Sequence, residues 1–153
     1  FHRGKVNQCL WRAVQGGYAE IVGLLMKASP DEDIVSEALR WACLHGCNEI
    51  ATLLLHGGAA KDFQQFLNDK VIWSTVRDGH APVLRALLVA RADKDKVRNR
   101  YTLLGWASRR GHVESVRVLL EAGVQKEKAS EGHTPLGWAS FEGHAEVVKL
   151  LLE

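Results

Sequence analysis

The chain has 153 residues, 46% apolar and 25% charged, close to the averages of soluble globular proteins, which excludes wholesale disorder. Its longest run without Asp, Glu, Lys or Arg, 50–60, is too short for a bilayer span of about 20 residues, and no apolar stretch follows a basic start, so neither a membrane segment nor a secretory leader is expected. The net charge of +2 does not by itself imply a nucleic-acid partner. The start at Phe1 and the end at Leu152-Glu153, in the middle of a motif, are what a piece of a longer protein would show.

A recurrent glycine organises the chain. It stands at Gly17, Gly46, Gly79, Gly111 and Gly143, at intervals of 29, 33, 32 and 32 residues. Each copy reads as two short helices, too small to bury an apolar stripe alone, so neighbouring copies must stack. The expected fold is therefore an all-α solenoid in one domain, with copies at about 6–29, 30–61, 62–92, 93–124 and 125–153.

In chain order, the first connector carries Ser29-Pro30-Asp31-Glu32, a helix-start signal of cap, proline and closing glutamate. It predicts that the first helix of copy two begins near Pro30. Copy two holds Cys43 and Cys47, which with Cys9 make three cysteines. An odd number without paired spacing points to small buried thiols and a reducing, intracellular, cytoplasmic setting; the spacing also lacks the two-residue gap of a zinc knuckle. In copy three, Asp62-Phe63-Gln64-Gln65 with Phe66 and Leu67 predicts another helix start. In copy five, Thr134 is an N-cap, Pro135 takes the first helical position, and Gly143 ends the helix near Glu142. The second helix there carries Val147, Val148, Leu151 and Leu152 on a broad apolar face, with Glu146, Lys149 and Glu153 opposite; Glu114, Arg117 and Glu121 repeat that polar face in copy four.

The segments Leu104-Gly105-Trp106-Ala107-Ser108 and Thr134-Pro135-Leu136-Gly137-Trp138-Ala139, with Gly143-His144-Ala145-Glu146-Val147-Val148-Lys149-Leu150-Leu151-Leu152, resemble the ankyrin repeat family. The resemblance implies an antiparallel helix pair per repeat, a projecting finger between repeats, and a concave protein-binding surface. The family's usual His after Thr-Pro-Leu is Gly105 and Gly137 here, and Trp73 and Trp11 in copies three and one, while Trp41, Trp106 and Trp138 lie one residue later. The five tryptophans read as inter-repeat core, large side chains against small. Arg91 fills the slot that Gly58 and Gly123 hold in a left-handed turn, so that turn is expected to differ. The connectors 92–100 and 124–133 should keep the extended finger.

No nucleophile, acid–base pair, phosphate loop or zinc helix motif stands out, so neither enzyme activity nor a cofactor is expected. His80, His112 and His144 each follow a repeat glycine. Stacked helices lie about 8–10 Å apart, too far for these side chains to share one zinc, so they read as structural residues that bond locally.

Charge is uneven along the chain: Arg77 to Lys128 holds an excess of basic residues, while Gly17 to Asp62 is acidic. The resemblance implies that ligands meet the finger tips and the two residues before each repeat glycine. Those are Gln15 and Gly16, Leu44 and His45, Arg77 and Asp78, Arg109 and Arg110, and Phe141 and Glu142, with Arg98, Asn99, Tyr101, Ser130, Glu131 and His133 from the fingers. Arg77, Arg98, Tyr101, Arg109 and Arg110 are expected to form a basic, aromatic patch for an acidic protein partner, arginine and tyrosine being favoured anchors; ordinary solvated charges are the alternative. Two rival readings remain: nucleic-acid stacking on Tyr101 and Phe141, and an architectural spacer or a segment that self-associates through an uncovered last repeat.

Overall fold

A computed structural model of the chain describes residues 2–57 and 69–153. The helix start expected at Asp62-Phe63-Gln64-Gln65 lies outside the described residues. The chain divides into two compact units, Phe1–Val71 and Ile72–Glu153.

The first unit holds α1 (His2–Gly16), α2 (Ala19–Met26), α3 (Glu32–Leu44) and α4 (Asn48–His56). Helix α1 pairs with α2 and α3 with α4, while α1 packs on α3 and α2 on α4. The pairing follows from amphipathic spacing. In α3, Val35, Ala38, Leu39, Ala42 and Cys43 recur at i, i+3, i+4, i+7 and i+8, and all five are buried.

Helix α3 begins two residues later than Pro30, and Ser29 is not its cap. Ser29 instead takes a left-handed φ of 52° at the end of α2, and Asp31 occupies the cap position with extended backbone. The Asp31 carboxylate is drawn away from the helix: Asn7 Nδ2 on α1 donates to it at 2.6 Å, and the Asp31 N–H donates back to Asn7 Oδ1 at 3.1 Å. This reciprocal pair fixes α1 against the start of α3. The cysteine reading is also corrected. Only Cys43 is buried, Cys47 is half-buried and Cys9 is exposed. Burial pushes the Cys43 thiol up to about 12, so it stays protonated at neutral pH and behaves as a small core hydrophobe.

The second unit starts within α5 (Asp69–Asp78) and continues through α6 (Ala81–Val89), a hairpin of β1 (Val97–Arg98) and β2 (Tyr101–Thr102), α7 (Leu103–Arg110), α8 (Val113–Glu121), α9 (Pro135–Phe141) and α10 (Ala145–Leu152). Helices α7 and α8 form one pair and α9 and α10 the next; α7 packs on α9, and α8 lies against both α6 and α10. Trp73, Val76, Leu84, Leu104, Ala107, Leu119, Ala139, Val147 and Leu151 belong to one buried cluster. Each unit is thus an all-α stack of antiparallel helix pairs.

Local chemistry sets the ends of these helices. Thr134 caps α9, its Oγ1 accepting from the Gly137 N–H at 3.1 Å, and Pro135 is the first helical residue. Thr102 does the same for α7 through Gly105 at 2.9 Å. Between the repeats the chain forms β-hairpin fingers. In the first, Arg98 pairs with Tyr101 across Asn99 and Arg100, both with positive φ. In the second, Ser130 pairs with His133 across Glu131 and Gly132, also both positive. Two consecutive left-handed residues are the mark of the tight turn that suits strand twist. The polar faces of α8 and α10 are solvated as expected, with Glu114–Arg117 at 3.6 Å and Glu146–Lys149 at 2.7 Å. Two lysines join successive helices: Lys94 Nζ donates to the Ala122 carbonyl at 2.7 Å and Lys126 Nζ to that of Leu151 at 3.4 Å. Each brings a cation to the last turn of a helix, where the macrodipole favours it.

The turn at Arg91 does not differ from its glycine counterpart. Arg91 has φ 65° and Gly123 φ 77°. The bonds from Arg91 N–H to Leu88 and from Ala92 N–H to Leu87 match those from Gly123 to Leu120 and from Val124 to Leu119. These backbone bonds hold the arginine in a conformation that costs a side-chain-bearing residue about 1–2 kcal/mol. Arg91→Gly should therefore raise stability by about 0.5 kcal/mol, the relief of strain outweighing the added freedom of the unfolded chain. Urea titration would read this as a higher midpoint at unchanged slope, and an unchanged or lower midpoint would contradict it.

The apolar end of the last repeat is largely covered from within. Val147 and Leu151 are buried, leaving Leu152 at 69% exposed. Positions 147 and 151 are one turn apart on the face of α10 that meets α9 and α8, whereas Leu152 points aside. The broad open face expected from the sequence is thus reduced to one residue.

Candidate functional site

The residues singled out in the second unit fall into two groups, those on the finger–turn surface and those that build it. Arg109 leaves the last turn of α7 and is held on several sides. Its Nη1 donates to Tyr101 Oη at 2.8 Å and its Nε to Glu142 Oε1 at 3.3 Å. Its guanidinium lies 4.8 Å from the Trp138 ring centre, 5.6 Å from that of Tyr101 and 5.9 Å from that of Trp106. Arg109 therefore knits the patch together and is not a free cation on it. Arg110, the next residue, is exposed and stacks over Trp106 at 5.4 Å.

The aromatic side chains form a continuous array. Tyr101 meets Trp106 edge-on at 5.0 Å and Trp138 at 5.6 Å. His133 meets Trp138 at 4.8 Å and Phe141 at 6.3 Å, with Phe141 edge-on to Trp138 at 6.4 Å. Such offset and edge geometries are the favoured ones for aromatic pairs. Phe141 ends the row at 75% exposed. Arg98, Asn99 and Arg100 of the first finger and Glu131 and His133 of the second are exposed.

Several expectations are corrected here. Ser130, read as a finger-tip contact, is fully buried. Its Oγ accepts the Thr102 N–H at 3.0 Å, and its carbonyl accepts Trp138 Nε1–H at 2.8 Å. One finger thereby rests on the next. A Cβ on Gly105 would lie 2.5 Å from Ser130 Oγ, which is why a glycine fits where the sequence resemblance implied a histidine. Of the five tryptophans, only Trp73 and Trp138 are buried; Trp11, Trp41 and Trp106 are half-exposed. At the third copy Trp73 meets Trp106 edge-on at 6.4 Å, large against large, so this contact is not the large-against-small packing expected.

Arg77 lies apart from Arg109 in its bonding. It forms a two-point pair with its neighbour Asp78, at 2.8 and 3.0 Å. That hydrogen bond holds the Asp78 carboxyl below its usual range, with smaller contributions from His80 and His112. In the first unit, Leu44 and His45 are both exposed, and the His45 ring stacks on Trp41 at 4.0 Å while its Nδ1 bonds the Trp41 carbonyl at 2.8 Å.

Two of the three repeat histidines, His112 and His144, are structural but not locally bonded. His112 Nε2 donates to the Arg77 carbonyl and His144 Nε2 to the Arg109 carbonyl, each at 2.9 Å and each 35 residues away. Each ring also lies against the glycine of the preceding repeat, Gly79 or Gly111. The histidines thus fix the turns that carry the candidate surface. Sequence reasoning missed this role, and it missed Trp106 and Trp138 as the floor of the patch. The usable signal was that Leu-Gly-Trp-Ala-Ser recurs unchanged immediately before the variable residues.

Helix pairs joined by β-hairpin fingers, capped by Thr at the finger base and ended by a left-handed glycine, define a repeat-stack protein built to present a surface. The chain belongs to the ankyrin repeat family: a family model described as ankyrin repeats, three copies, matches residues 72–153. No curated protein matches it. Ankyrin repeats are generally protein–protein interaction modules. No described helix is long and apolar enough to cross a membrane.

Proposed function

We propose that this chain binds an acidic segment of another protein, without catalysis, through the finger–turn surface of residues 98–142. The observation that carries the reading is Phe141, three-quarters exposed at the end of an aromatic row that the protein otherwise braces with Arg109. A large aromatic left in water at a rigid site is a natural anchor for a partner. Charge supports an acidic one. The Arg109–Glu142 pair is internally matched, while Arg110 stands exposed over Trp106, Arg98 and Arg100 are exposed in the finger that carries Tyr101, and Glu131 is exposed in the next finger. A phosphate backbone is disfavoured as the ligand because nucleic-acid sites neutralise many phosphates, whereas here acidic residues such as Glu131 and Glu142 stand among few cations and the net charge is only +2.

The test follows from which residues are braced. Arg109→Glu would disturb Tyr101 and Glu142 as well as binding, so the informative variant is Arg110→Glu with Phe141→Asp, both at exposed positions. Wild-type and variant chains, used in parallel as bait, should retain the same fold by circular dichroism. Partners captured by the wild type should bind the variant at least about tenfold more weakly. A partner held equally by both would place the binding surface elsewhere.

A further inference from the structure

The two repeats around the patch carry equivalent tryptophans, and only one of them is satisfied. Trp138 Nε1–H donates to the Ser130 carbonyl of its own finger at 2.8 Å. Trp106 stands 32 residues earlier in the same Leu-Gly-Trp-Ala-Ser context, and the corresponding acceptor would be the Arg98 carbonyl. That bond is not made: Trp106 Nε1 is buried and has no hydrogen-bond partner. A buried N–H without an acceptor is costly, and structures seldom keep one without a reason. Trp73 Nε1 is also without an acceptor, but its ring is enclosed in the core. Trp106 differs because its ring is half-exposed and two guanidiniums stand over it, Arg110 at 5.4 Å and Arg109 at 5.9 Å.

We infer that Trp106 Nε1–H is a specificity donor for the partner, awaiting a carboxylate from an acidic segment that docks between Arg110 and the first finger. The inference deepens the acidic-partner reading and rests on it. Three features favour a carboxylate over a neutral acceptor. A donor in a site of low polarity gains most from a charged acceptor, charge-assisted bonds being shorter and roughly twice as strong as neutral ones. The adjacent arginines supply opposite charge. Arg110, stacked on the ring and otherwise facing solvent, can swing with the incoming group, whereas Arg109 is held by Tyr101 and Glu142 and keeps the ring in place.

The experiment uses the full chain labelled with nitrogen-15 and titrated with a capped oligoglutamate peptide, with capped oligoglutamine as the neutral comparison. Trp106→Phe assigns the indole signal. The expected result is a saturable downfield shift of the Trp106 indole proton with oligoglutamate and none with oligoglutamine. Trp106→Phe should bind the acidic peptide about fivefold more weakly, the ring being kept and one donor lost. Movement of the Arg110 and Phe141 signals with a stationary Trp106 indole would overturn the inference while leaving the acidic-partner reading intact. Equal shifts with both peptides would overturn the carboxylate assignment. No shift anywhere would overturn both.

Discussion

Leu119→Ala should lower the stability of the second unit by about 2–5 kcal/mol, the range for removing a fully buried leucine side chain. Leu119 is completely buried on α8, which packs against both α6 and α10 as well as its own partner α7. In a repeat stack each unit is stabilised by its nearest neighbours, so a cavity in the middle helix weakens two interfaces at once. Urea unfolding of the full chain should show the loss together with a broadened transition, as the repeats on either side uncouple. A loss below about 1 kcal/mol would mean that the neighbouring helices collapse onto the cavity, and that the stack is looser than its burial indicates.

The second large effect separates two roles of glycine. Gly143 and Gly111 have nearly the same left-handed backbone, φ 80° and 73°. A Cβ added at Gly143 meets nothing within 4 Å, whereas at Gly111 it would lie 2.5 Å from Nδ1 of His144. Gly143→Ala should therefore cost about 1 kcal/mol, from backbone strain alone. Gly111→Ala should cost about 2–3 kcal/mol, because the His144 ring must also move off the Arg109 carbonyl and lose that bond. Thermal or chemical denaturation of the two variants gives the difference directly. Equal losses would show that the histidine ring shifts without penalty, and that it does not hold the Arg109 turn.

Much of this molecule was legible from residue order. The glycine interval predicted stacked helix pairs, Thr134-Pro135 predicted a helix start, and both later fingers appear where expected. The errors share a cause. Ser29-Pro30-Asp31-Glu32 is a sound local start signal, yet Asn7, 24 residues away, takes the Asp31 carboxylate and the helix begins later. Ser130 looked like a variable finger-tip residue because a local reading cannot see the Thr102 N–H, 28 residues away, that its hydroxyl serves. The repeat histidines were expected to bond locally, and His112 and His144 instead reach back 35 residues to the preceding turn.

The sequence by itself determined the repeat, its helix caps and the position of its fingers, because these depend on periodicity and on hydrogen bonds closed within a few residues. The tertiary structure alone decided which arginines are free. Arg109 and Arg110 are adjacent and chemically alike, but only Arg109 comes within reach of Tyr101, Trp138 and Glu142. Whether a side chain braces a surface or is offered from it depends on neighbours brought up from another repeat, and no local pattern encodes that proximity.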